Sequence, residues 1–190
     1  MSALAIAALG MAPPELLEHV EASLAQAFSL GTLRLEALAE PAAAYSPARR
    51  QWSSAEFLKL LLARVPPGAA RLLGVTERDL FVPVLSFVYG QAQLEGPVAV
   101  VSLARLRPEF HGLAPDPPAL ERRAAVEAVH ELGHTFGLVH CVDRLCPMSL
   151  SIDLPDLDRK TAEPCSGCSA LLEGSREMKR ARARHEAGRR

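Results

Sequence analysis

An α/β domain with a mixed, twisted sheet and packed helices is the fold class this sequence predicts, and three observations carry the prediction. Apolar runs of strand length alternate with segments whose apolar residues recur at helical spacing, beginning in the order strand, helix, strand. Hydrophobic side chains make up 49% of the 190 residues, enough to fill one sizeable core. The second half holds a long helical pattern carrying three histidines and a glutamate, with four cysteines close behind it.

Leu4 to Leu9 is apolar throughout and reads as a buried first strand. It resembles a signal peptide only superficially, since it has no positively charged leader and stops at Gly10 before Pro13, Pro14 and Glu15. A helix follows over residues 13–28, where Leu16, Val20, Leu24 and Phe28 recur every four positions and the prolines fit its first turn. Gly31 ends it, and Thr32-Leu33-Arg34-Leu35-Glu36 alternates as a second strand, completing a βαβ unit. Residues 37–50 read as a loop broken by Pro41 and Pro47.

Ser53 or Ser54 is placed to cap a second helix whose buried stripe is Phe57, Leu58, Leu61, Leu62 and Val65, closed by Pro66-Pro67-Gly68. Leu72, Leu73 and Val75 precede the polar turn Thr76-Glu77-Arg78-Asp79. Leu80 to Tyr89 then reads as an apolar strand region, with Pro83 where no ladder hydrogen bond is needed. Gly90 to Pro97 is turn-like, and Val98 to Leu103 supplies another strand, expected to pair with 80–89 as an antiparallel hairpin. Prolines 115, 117 and 118 lead into a helix over residues 119–136. Leu120, Ala124, Val129 and Leu132 face the sheet, and His130 and His134 face a cleft.

The charge excludes some functions. The net value of −1 divides into +5 over residues 176–190, where seven Arg or Lys stand against two Glu, and −6 over the rest. A nucleic-acid binder carries its basic charge on the folded face, whereas here it forms a terminal appendage. Charged residues or histidine interrupt every long apolar segment, so no membrane span is expected. The expectation is a cytoplasmic monomer with one domain at 1–175 and a basic tail at 176–190.

The chemistry is concentrated in His130-Glu131-Leu132-Gly133-His134-Thr135-Phe136-Gly137-Leu138-Val139-His140. On a helix, His130 and His134 lie one turn apart on one face and reach the same ion, while Glu131 is offset by about 100° and can address a water there. Gly137 permits the backbone turn that brings His140 round as a third ligand. Three imidazoles leave a zinc ion one position open for a water, and Glu131 is placed to take that water's proton. Cys141, Cys146, Cys165 and Cys168 are spaced for a tetrahedral metal site, with two disulfides or a redox-active Cys-Ser-Gly-Cys pair as rival readings.

The string His130-Glu131-x-x-His134-x-x-Gly137-x-x-His140-Cys141-x₄-Cys146-x-Met148, followed by Cys165-x-x-Cys168, resembles the archaemetzincins, small members of the metzincin clan of zinc peptidases. Leu73-Gly74-Val75-Thr76, Phe87-Val88-Tyr89-Gly90 and Val101-Ser102-Leu103-Ala104-Arg105-Leu106 extend the likeness, which runs from about residue 72 to 168. The spacing from Met148 to Cys165 is one residue shorter than the family's usual pattern, in a loop containing Asp153, Asp156 and Asp158. The resemblance implies a metzincin-like fold and two zinc ions, one catalytic on His130, His134 and His140, the other structural on the four cysteines. It also implies Glu131 as general base, Met148 as an apolar support beneath the histidines, and Val98 to Leu103 as the edge strand that receives an extended peptide. Tyr89 is a candidate for a further oxyanion donor. Two rival functions share the scaffold: a catalytically inactive interaction module stabilised by zinc, and a hydrolase of non-peptide amides.

Overall fold

In the computed structural model, which describes residues 3–174, β1 (Ala3–Leu9), α1 (Pro14–Phe28) and β2 (Thr32–Arg34) form the expected βαβ unit, with β1 and β2 paired in parallel. The basic tail expected at 176–190 lies outside the described residues. α2 (Ser54–Leu62), β5 (Ala69–Thr76), β7 (Gly90–Ala92) and β8 (Val98–Ser102) complete a five-stranded sheet and its upper cover. The strand order is β2-β1-β5-β8-β7; every neighbouring pair is parallel except the antiparallel β7 and β8.

Side-chain alternation assigns the two faces of this sheet. Leu4, Ile6 and Ala8 of β1, Leu73 and Val75 of β5, and Ala99 and Val101 of β8 point into the larger core. That core is closed by α1 and by α3 (Pro117–Thr135). Ala5, Ala7, Leu9, Leu72, Val98 and Val100 point the other way, onto Phe57, Leu58 and Leu61 of α2. The central strands read as unbroken apolar runs because both faces are covered. α1 is anchored to the metal-site end of α3 by Phe28, whose ring stacks on Phe136 at 5.2 Å.

Several expectations needed correction. Residues 69–76, whose apolar positions had no strand assigned, form the central strand, since a short apolar run carries no periodicity of its own. The region 80–89 is not one strand: β6 (Leu80–Phe81) ends at once, and Pro83 and the following residues turn. β6 joins β3 (Tyr45–Ser46) and β4 (Gln51–Ser53) in a separate three-stranded sheet, so the loop read at 37–50 contains a strand and a 3₁₀ turn as well. The antiparallel partner of β8 is β7, inside the segment read as turn. β8 is therefore flanked on both sides and offers no free edge, which overturns its assignment as the peptide-receiving strand; β7 is the edge. On α2, Leu62 is exposed, and Ser53 makes no side-chain cap. Ser54 instead donates its hydroxyl to the Phe81 carbonyl.

Candidate metal centres and the catalytic cleft

α3 begins where Asp116 accepts the Ala119 amide, with Pro117 and Pro118 in its first turn, and it ends beneath the sheet edge. Its last turn is gripped from three sides. Arg71 of β5 donates through Nε and Nη2 to the Thr135 carbonyl at 3.1 and 2.9 Å, and its guanidinium lies 4.4 Å from the centre of the Phe136 ring. The turn between β7 and β8 contributes the Glu95 amide to the His134 carbonyl at 3.0 Å. Gly137 adopts φ +95°, which lets the Leu138 amide return to the Gly133 carbonyl and the Gly137 amide to that of His134. This termination carries the chain back under the helix and delivers His140.

The three imidazoles converge, with one nitrogen from each within 4.8 Å of the others. His130 Nδ1 donates to the Pro147 carbonyl at 2.7 Å and His134 Nδ1 to the Leu138 carbonyl at 2.8 Å. A carbonyl can only accept, so both Nδ1 atoms carry the proton and both Nε2 atoms present lone pairs. Those two lone pairs face each other across 3.1 Å, an arrangement that repels unless a cation lies between the rings. Burial also keeps the rings neutral: desolvation, reinforced by His134, depresses His130 to about 3, and desolvation lowers His134. The donor set thus fits a nitrogen-ligated metal ion.

Met148 is fully buried below the histidines, and its sulfur packs so closely on Gly133 that a β-carbon there would overlap it. Glu131 is buried against the edge strand, its side chain touching the backbone of Gly90. Desolvation, with a contribution from the Glu127 charge, raises its carboxyl well above the ordinary range. The three histidines and Glu131 line a cleft of about 540 Å³, together with Phe87 to Ala92 and with Leu150, Ser151 and Ile152. Tyr89 is among these lining residues, its phenol pushed up to about 12 by burial and then by Glu127.

The second cluster forms directly behind His140. The sulfurs of Cys141, Cys146, Cys165 and Cys168 lie within 4.8 Å of one another, none in a disulfide, so the shortened loop still brings all four together. The Cys165 amide points at the Cys146 sulfur at 3.5 Å, and the Cys141 amide donates to the Met148 carbonyl at 3.0 Å. The Cys168 backbone amide holds the Cys165 thiol below its usual range, whereas burial raises Cys146 and Cys168. Two residues of the cleft's construction were missed in the sequence: Arg71, for which no motif exists, and Glu127, which helical spacing from Glu131 would have found.

A helix-borne pair of histidines with an intervening glutamate, a third histidine beyond a glycine turn and a methionine packed beneath them define a metzincin-type zinc peptidase centre. The comparisons give the family. The sequence model of peptidase family M54 matches residues 67–174. The archaemetzincin of Methanocaldococcus jannaschii is 39% identical over 84% of this chain and 86% of its own length. The crystal structure of the archaemetzincin from Methanopyrus kandleri matches with a TM-score of 0.81 at 36% identity, covering 93% of this chain and 96% of that one. A zinc-dependent peptidase from Methanocorpusculum labreanum gives a TM-score of 0.82 at 29% identity, covering 89% and 99%. The chain belongs to the archaemetzincins, peptidase family M54, zinc metallopeptidases of the metzincin clan.

Proposed function

We propose that the chain hydrolyses peptide bonds in the cleft between β7 and α3, with a catalytic zinc on His130, His134 and His140 and Glu131 as general base. The observation that carries the reading is the pair of imidazoles whose Nδ1 protons are committed to carbonyls, leaving Nε2 lone pairs turned together beside a buried carboxylate. Zinc held there supplies a Lewis acid that lowers the pKa of a water and polarises a substrate carbonyl. Glu131 takes the proton of the attacking water and passes it to the departing amine nitrogen; its raised proton affinity suits the carboxyl to hold that proton between the two steps.

An extended peptide lies along the free edge of β7, where backbone pairing orients many sequences and cleft walls select among them. Cys141, Cys146, Cys165 and Cys168 hold a second, structural zinc that fixes the loop carrying Met148. Residues 1–175 make up the catalytic domain and 176–190 a basic appendage. Every ligand of both centres comes from one chain, which supports a monomer, and four unpaired thiols suit the reducing cytoplasm. No described helix is long and apolar enough to cross a membrane.

The test is Glu131→Gln, assayed for zinc content and peptide turnover together. The substitution is expected to keep zinc and to lower kcat by about 10²- to 10⁴-fold. Full turnover in a zinc-replete variant would remove Glu131 from the mechanism.

A further inference from the structure

The cleft contains a second carboxylate that the hydrolytic reading does not use. Glu127 lies four residues before Glu131 on α3, hence one turn along the same face, and its side chain lines the cleft. It is only 4% exposed, and the access it keeps opens toward the cleft. Among the described residues, no hydrogen bond or ion pair reaches it. The Lys160 ammonium acts on it only through space, its hydrogen bonds going to the Ser149 carbonyl and the Ser151 hydroxyl. The same cleft is lined by Tyr89, whose phenol the Glu127 charge helps to raise, and by the apolar side chains of Phe87 and Ile152.

A desolvated carboxylate without a hydrogen bond is costly, and the Lys160 charge offsets only part of that cost, since burial still outweighs it. A cation arriving in the cleft would. Resting on the peptidase reading, we propose that Glu127 is a specificity-determining residue that receives a positively charged group of the substrate, either a Lys or Arg side chain or a free terminal amine, one helical turn from the reacting centre. The apolar walls fit the methylene stem of such a group, and the carboxylate fits its charged end. Desolvation, opposed in part by the Lys160 charge, raises the Glu127 carboxyl to about 7, so an entering cation also stabilises its ionised form.

The experiment measures binding of short peptide hydroxamates to zinc-loaded protein, so that it reads recognition without requiring turnover. The probes carry lysine, norleucine or glutamate at each position in turn, each with a free or an acetylated terminus. Wild type is expected to prefer lysine to norleucine at one position, or the free terminus to the acetylated one, by about tenfold or more. Which arm shows the preference identifies the source of the cation. In Glu127→Gln the preference collapses toward unity, and Glu127→Asp retains part of it. A co-crystal of wild type with the preferred probe, independent of how the variants fold, should place its cation within hydrogen-bond reach of Glu127.

Equal affinity for charged and neutral probes in wild type overturns the proposal and leaves the metal reading intact. So does a preference that survives in Glu127→Gln, or a bound cation held away from Glu127. If Glu127→Gln and Lys160→Met weaken every probe alike, Glu127 is a structural counter-charge and the proposal also fails. Failure of any hydroxamate to bind, charged or neutral, overturns both this proposal and the metal-site reading beneath it.

Discussion

The proposed base, Glu131, sits in a dry place made by its neighbours: Gly90 leaves room for it at the sheet edge, and burial keeps His130 and His134 neutral. The same closeness governs Gly133. On helix propensity alone, Gly133→Ala would stabilise α3 by up to about 1 kcal/mol. Its β-carbon would overlap the sulfur of fully buried Met148, and such overpacking costs about 1–3 kcal/mol. The crowding wins, so urea unfolding should show a net loss of about 1 kcal/mol, and adding Met148→Ala should recover a large share of the crowding term in a double-mutant cycle. A Gly133→Ala protein more stable than wild type would mean that Met148 is not pressed against the helix.

At the scale of elements, α3 is useful because its end is fixed. Arg71 reaches from the central strand to the carbonyl and hydroxyl of Thr135 and stacks on Phe136, acting as a positive cap on the C-terminal turn that holds His134. Arg71→Met should cost about 2–3 kcal/mol on chemical denaturation, since it removes hydrogen bonds from a charged donor in a buried place. It should also weaken zinc at the histidine centre in chelator competition. Arg71→Lys should fail to restore either quantity, because an ammonium cannot span two acceptors and stack. Unchanged zinc affinity in the methionine variant would show that the end of α3 holds without it.

The elements also show what could be read in advance. α1 and α3 were legible because fifteen or more residues give a helical period time to repeat, and the histidine spacing states its own geometry. β1 was legible as an apolar run between turn signals. The β7 to β8 edge was not: three residues of β7, Gly90-Gln91-Ala92, contain no strand former and a glycine, and they pair because β8 and the turn at Glu95 hold them there. The apolar character of 80–89 was real but belongs to cleft walls and a small second sheet. Which strand is an edge is a property of the whole sheet order, so β8 looked suitable until β7 was found beside it.

For the molecule as a whole, the two centres are joined end to end. His140 and Cys141 are adjacent in the chain, and the Cys141 amide holds the Met148 carbonyl, so the cysteine cluster anchors the loop that closes the histidine centre from below. Cys165→Ser should therefore reduce metal content from two zinc ions to one and make residues 141–165 more susceptible to proteolysis. Zinc affinity at the histidines should fall by about 10- to 100-fold, as for loss of a supporting shell. Two zinc ions retained by this variant, with the loop still protected, would remove the cysteine cluster from that role.

We propose above that the cleft cuts peptide bonds with zinc and Glu131. The most direct measurement is the appearance of new amino termini when an unstructured peptide pool is incubated with protein of verified metal content. New termini should form with wild type, cease on chelation, return with added zinc, and be absent with zinc-loaded Glu131→Gln. Wild-type protein replete at both centres that releases no new termini from any peptide, or a Glu131→Gln variant that releases them as fast as wild type, would contradict it.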